Sequence, residues 1–194
     1  MATPTGTAGS SAEADVVDVL SADHAEFLAL VEQIQAAGDD EQRRDLADTL
    51  ISELVRHAVA EEMFVYPAIR QHVPDGDAAV ADDVAEHQDL ERTMKDLEGV
   101  EPADARFDEL VRHLERTLRH HVHDEEAEQF PQLRAHVPRD ELVAIAGKVE
   151  AAKRVAPTRP HPGAPNTQLF HKTVGPGVGL VDRLRDRLTG GPTH

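Results

Sequence analysis

The chain has 194 residues and a formal net charge of −17, with 37 acidic residues against 20 basic ones, and it contains no cysteine. The missing cysteine excludes disulfides, thiolate zinc sites and iron–sulfur clusters, so any bound metal must be held by histidine and carboxylate. The acidic balance works against phosphate backbones and anionic lipid, so neither nucleic acid nor a membrane is expected as a partner. The first residues carry no basic and apolar leader, and no apolar run approaches the roughly 18 residues of a membrane span, which makes the cytoplasm the expected location. With five Phe, one Tyr and no Trp, the core must come from Leu, Val, Ile and Ala. That composition suits helices packed side by side.

Residues 1–13 are small and polar, and are expected to be disordered. From Asp15 the apolar residues recur at three- and four-residue steps: Val17, Leu20, Phe27, Val31 and Ile34, with His24 on the same stripe. Gly38 and Asp39 end this first helix. A second starts near Asp40, with Leu46, Leu50, Leu54, His57, Glu61 and Phe64 on its inner face, and Pro67 is expected to kink or interrupt it. Pro74-Asp75-Gly76 forms a turn. The third helix begins near Asp77 and carries Val80, Val84, His87, Glu91, Met94 and Leu97. The fourth runs from about Asp104 and carries Phe107, Leu110, Leu114, Leu118, His121 and Glu125. Four helices with short connections predict an all-α, antiparallel up-down-up-down four-helix bundle. A fifth amphipathic helix follows Pro138 and is expected to lid the bundle, so that residues 14–154 form one domain. Residues 155–194 read as a Pro/Gly-rich linker with a short amphipathic helix near Leu180–Leu188.

The second and fourth helices repeat one another. His57 and His121 are 64 apart, and at the same offset Glu61 falls on Glu125, Glu62 on Glu126, Pro67 on Pro131 and His72 on His136. A His and a Glu four apart share one helix face, about 6 Å apart along the axis, so both can reach one metal centre. His24 and His87 are 63 apart, each on the inner stripe of the preceding helix. Two hairpins of the form H…HxxxE would bring four His and two Glu to a similar depth. A lone inner-face His is ordinarily a hydrogen-bonded core residue, but inward carboxylates without a partner cost several kcal/mol each. A bound cation makes the arrangement favourable; a salt-bridged, metal-free core stays open at this point. His120 and His123 lie roughly 100° and 200° round the helix from His121, and His113 is only partly on its face. His72 and His136 are more than about 15 Å along the axis from the site. Glu62 and Glu126 point off the face and are expected in solvent. Tyr66 has the wrong helical phase for a ligand, although a break at Pro67 would make that phase unreliable.

The order His24, His57-x-x-x-Glu61, His87, His121-x-x-x-Glu125 resembles the hemerythrin family, in its bacterial hemerythrin-like HHE cation-binding branch, over roughly residues 15–137. The resemblance implies a bundle around an oxo- or hydroxo-bridged pair of non-haem irons. His24, His57, His87 and His121 would be terminal ligands, with Glu61 and Glu125 bridging. Mixed imidazole and carboxylate donors inside a helical bundle suit iron or manganese on chemical grounds as well. One position departs from the family: oxygen carriers place a second His one turn after the first on the third helix, and here that residue is Glu91. It is either a solvated residue at the stripe's edge or a carboxylate taking the fifth ligand position. The expected function is handling of dioxygen or peroxide, with slow catalase-like turnover within reach; the alternative is a non-catalytic sensor or buffer of oxygen, nitric oxide or iron. No catalytic residue is assigned from the sequence.

Overall fold

A computed structural model describes residues 13–156 and 158–159, and the described residues contain helices and no strand. The expected disordered N-terminus, all but its last residue, and the expected C-terminal helix lie outside the described residues. Helices α1 (Val16–Ala36) and α2 (Asp40–Ala60) form one hairpin. The second element continues through a π-helical turn (Glu61–Val65) into α3 (Tyr66–His72). A second hairpin pairs α4 (Gly76–Glu98) with α5 (Ala105–Asp124), which runs on through a π-helical turn (Glu125–Gln129) into α6 (Phe130–His136). The ring closes where α1 packs on α5 and α2 on α4, and α7 (Arg139–Lys153) lies across α1 and α2. This is the expected helical bundle with an added C-terminal helix.

Acidic caps set most of the boundaries. Asp15 accepts a hydrogen bond from the Asp18 N–H, while the Asp18 carboxylate accepts one from the Asp15 N–H, a reciprocal capping box. Asp39 and Asp104 cap α2 and α5 in the same sense. Asp15 is buried and also pairs with Arg134 of α6 and Arg139 of α7, which ties the end of the chain's helical region to its start.

Pro67 and Pro131 do not break their helices. A proline ring collides with the carbonyl four residues back and brings no N–H. Here a wide turn precedes each proline: Tyr66 N–H bonds to the Glu61 carbonyl and Phe130 N–H to the Glu125 carbonyl, five residues back in both cases. The element therefore continues, with its phase advanced by the extra residue.

The core divides into two apolar clusters. One is built from Val16, Leu20, Ala60, Tyr66, Val80, Phe130 and α7 residues including Leu142 and Val149. The other is built from Phe27, Val31, Leu50, Leu97, Phe107 and Leu114. Each inner histidine lies in sequence between a residue of one cluster and a residue of the other, so the histidines mark the seam.

The join between the two hairpins is sterically tight. Asp75 has φ 57°, a left-handed conformation rarely adopted outside glycine, and it is followed by Gly76. A Cβ on Gly76 would collide with the Ile69 carbonyl of α3. Gly76→Ala should therefore destabilise the fold by about 1–3 kcal/mol, whereas Gly38→Ala, where a Cβ meets open space, should not. Paired thermal melts of the two variants check this.

Candidate metal centre

The four histidines come one from each of α1, α2, α4 and α5, and all four are buried, as are Glu61 and Glu125. Their Nε2 atoms and carboxylate oxygens converge. His57 Nε2 and His87 Nε2 stand 3.2 and 3.4 Å from Glu61 Oε2. His24 Nε2 and His121 Nε2 stand 3.1 and 3.6 Å from Glu125 Oε2, and His87 Nε2 is 3.2 Å from His121 Nε2. Each carboxylate thus lies between one histidine of its own hairpin's HxxxE pair and a second histidine on a different helix. Two overlapping groups, His24–His57–His121–Glu125 and Glu61–His87–His121, each have one ligand atom per residue within 4.8 Å of the others.

Despite these short distances, His24 Nε2, His57 Nε2, both Glu61 oxygens and Glu125 Oε2 have no hydrogen-bond partner. The atoms aim at common points between the residues rather than along one another. Unpaired buried polar atoms are costly and rare. Their convergence is the arrangement a cation satisfies.

The opposite ring nitrogens are each held from outside. His24 Nδ1 is 3.0 Å from Glu126, His57 Nδ1 is 3.0 Å from Asp23, and His121 Nδ1 is 3.0 Å from Glu86. His87 differs: its Nδ1 is 3.1 Å from the Tyr66 hydroxyl. A carboxylate on Nδ1 keeps the proton there and turns the Nε2 lone pair inward, which fixes the ring and strengthens it as a ligand. Asp23 and Glu86 each directly precede the first histidine of a hairpin. Each therefore serves the HxxxE histidine of the same hairpin.

Residues 15–133 match the family model of the hemerythrin HHE cation binding domain. The chain belongs to that family. It is 27% identical over 174 residues to a hemerythrin-like protein of Schizosaccharomyces pombe, covering 89% of this chain and 86% of that one. It is also 26% identical over 139 residues to a DNA nickase of Nostoc sp.; that match takes in 72% of this chain but only 39% of the relative's length. No solved structure matches. A hemerythrin HHE domain binds cations, and this buried His/Glu cluster suits one.

The remaining histidines sit apart from the cluster. His120 and His123 are exposed, His113 pairs with Asp89 at the surface, and His72 faces Glu141. His136 is exposed. Glu91 is half-buried one turn beyond His87, on the wall of a cavity of about 60 Å³ that reaches the four histidines between α2 and α4. Its neighbour there corrects an expectation. Glu62 is half-buried on the same wall, not solvated, with Glu91 of α4 beside it. Glu126 is the more exposed of the pair, yet it still holds His24. Tyr66 is the second correction. At a uniform 100° per residue it lies about 140° from Glu61, but across a π-turn it is one full turn away and faces inward, fully buried beside His87. The proline six residues after each HxxxE glutamate, Pro67 after Glu61 and Pro131 after Glu125, was the visible signal of that change.

The HHE cluster is electrostatically strained on its own. Burial and the Glu125 charge push Glu61 above the usual carboxylate range. Burial pushes His57 down, but the Glu61 charge and the Asp23 hydrogen bond outweigh it and raise His57 to about 10; His121 rises to about 9 in the same way through Glu125 and Glu86. Burial, with Glu91 and Glu61, raises Glu62 to about 8. Burial and the Glu125 charge raise Asp83 to about 7, against the hydrogen bond from Gln129. A folded-state pKa above the ordinary value contributes stability at low pH that is lost as pH rises through the folded value. Above pH 7 His57 and His121 act in that sense, and so does Glu62 up to about pH 8, whereas the Asp83 loss is complete by about pH 7, so the melting midpoint of metal-stripped protein should fall between pH 7 and 10. His87 and Asp23 are shifted downward and have their windows below that range. Glu62→Gln should raise the midpoint at pH 9.5, by about 2–4 °C per kcal/mol relieved, and raise it less at pH 6, where the loss from Glu62 is only partly developed. Circular-dichroism melts at the two pH values check this, and a larger gain at pH 6 would contradict it.

Proposed function

We propose that the chain is a non-haem di-iron protein that handles dioxygen or peroxide. His24, His57, His87 and His121 serve as terminal ligands, and Glu61 and Glu125 bridge. The observation that carries this reading is the convergence of buried donor atoms without hydrogen-bond partners, arranged as two histidine pairs each sharing a carboxylate. Two shared carboxylates among four imidazoles suit two ions rather than one. Glu91 belongs to the cavity wall in this reading, not to the ligand set.

Bound iron supplies redox chemistry toward dioxygen and peroxide. The chain's own residues do the rest. Asp23, Glu86 and Glu126 hold protons on the outer nitrogens of three histidines, and the two apolar clusters on either side of the seam keep bulk water out. The cavity is narrow and mostly apolar, and Glu62 and Glu91 place two carboxylates on its wall. Small neutral molecules pass such an opening more readily than anions. A net charge of −17 argues in the same way against a nucleic-acid partner, and among the described residues no helix is long and apolar enough to cross a membrane.

Protein expressed with iron available should carry about two irons per chain by metal analysis. Glu61→Ala and Glu125→Ala should lose most of it, and His120→Ala and His123→Ala should retain it. Full iron in either glutamate variant would remove the bridging roles. For the reaction, reduced protein mixed with oxygenated buffer in a stopped-flow instrument should oxidise without a persistent, purgeable oxygen adduct, and oxidised protein should decompose hydrogen peroxide slowly.

A further inference from the structure

The two hairpins repeat the ligand positions but not their surroundings. Next to His24 the repeat places apolar residues. Phe130 stacks on the His24 ring at 5.6 Å and 10°, and Leu20, one turn before His24, is buried in the same cluster with Val65. The equivalents on the other side, 63 or 64 positions away, are all polar: Phe130 corresponds to Tyr66, Leu20 to Asp83 and Val65 to Gln129. Asp83 is 2% exposed and its Oδ1 accepts a hydrogen bond from the Gln129 amide, 2.5 Å away, while Asp83 Oδ2 and Gln129 Oε1 have no hydrogen-bond partner. Ligand atoms of Asp83, Glu86 and His121 lie within 4.8 Å of one another. The Tyr66 hydroxyl is 3.1 Å from His87 Nδ1 and 3.4 Å from Nε2, the nitrogen that faces Glu61 and His121.

Burying Asp83, the Gln129 side-chain oxygen and a tyrosine hydroxyl beside an apolar cluster is unfavourable for folding. The half that keeps Leu, Val and Phe at the same positions shows that the fold does not require them. Reactions of dioxygen or peroxide place partial negative charge on the bound oxygen atoms, and a fixed donor beside that charge stabilises it in a water-poor site. A phenol accepts one hydrogen bond and donates another, so Tyr66 can take the His87 Nδ1–H and still offer its own proton. The aromatic partner of His24 has no hydroxyl to offer.

We propose that exogenous small molecules bind on the His87 side of the centre, with the Tyr66 hydroxyl as the hydrogen-bond donor that holds them and the Asp83–Gln129 pair as the polar wall behind it. The assignment rests on the di-iron reading and adds to it a side and a binding residue. The His24 side, closed by Phe130, Leu20 and Val65, serves only to hold metal.

The probe is nitric oxide on the ferrous, iron-loaded protein, since it is small, neutral and sensitive in its N–O stretch to a neighbouring donor. Iron content is measured first. Tyr66→Phe should retain its iron, release nitric oxide about tenfold faster through loss of one hydrogen bond, and lose the shift of the N–O stretch that the wild type shows in heavy water. Phe130→Tyr should leave both readings as in the wild type. Wild-type protein that takes up no iron would sink the di-iron reading itself. Retained iron with an unchanged release rate and stretch in Tyr66→Phe would leave that reading standing and overturn the Tyr66 assignment. So would loss of iron from Tyr66→Phe, which would make the tyrosine a metal ligand, and so would slower release in Phe130→Tyr, which would move the ligand to the His24 side.

Discussion

Two carboxylates and four imidazoles buried in one small volume are the constraint on which this structure depends. Removing a carboxylate from water costs several kcal/mol, and a second one beside it adds repulsion. The bundle meets that cost with donors aimed at shared points, at the seam where its two apolar clusters meet. Four helices must each deliver one histidine to the same depth, which explains the near-equal spacings in both hairpins. The acidic caps and the Asp15 pairs with Arg134 and Arg139 then keep the helices from sliding relative to that depth.

The two halves have diverged around a common ligand pattern. Asp23 and Glu86 hold equivalent histidines, but Lys153 of α7 pairs only with Asp23, at 2.5 Å, whereas Glu86 faces the exposed His120. The hydrogen bond and charge of His57, with Lys153, hold Asp23 below the usual carboxylate range although burial works against it. The added C-terminal helix therefore neutralises one half and not the other. Together with the Tyr66, Asp83 and Gln129 substitutions, this makes one side dry and charge-balanced and the other polar. An unequal pair of sides suits the proposed centre, in which a small molecule approaches the metal from one side only.

Much of this was legible in the sequence. Apolar residues at three- and four-residue steps placed His24, His57, His87 and His121 on inner faces, and the 64-residue offset joined the two HxxxE pairs. The helix starts expected near Asp15, Asp40, Asp77, Asp104 and Pro138 lie close to those observed. What was not legible lies downstream of the π-turns. A constant helical period misplaced Tyr66, because the extra residue per turn is a local answer to Pro67 and Pro131 that no apolar spacing reveals, and Glu62 was misplaced because its burial depends on what packs beside it. Asp23 and Glu86 were also missed: they neighbour the histidines in sequence but act on the rings of other helices, so only packing discloses their role. Lys153 reaches Asp23 across 130 residues of chain, a contact that no local pattern encodes.

If a cation balances the buried carboxylates, a thermal melt of chelator-stripped protein beside the same sample reloaded with ferrous iron will show it. Anything that binds the folded state alone raises its stability. The reloaded sample should have a clearly higher midpoint at neutral pH, with helical content similar in both below the transition. Equal midpoints in samples of confirmed metal content would contradict it and favour a salt-bridged core without metal.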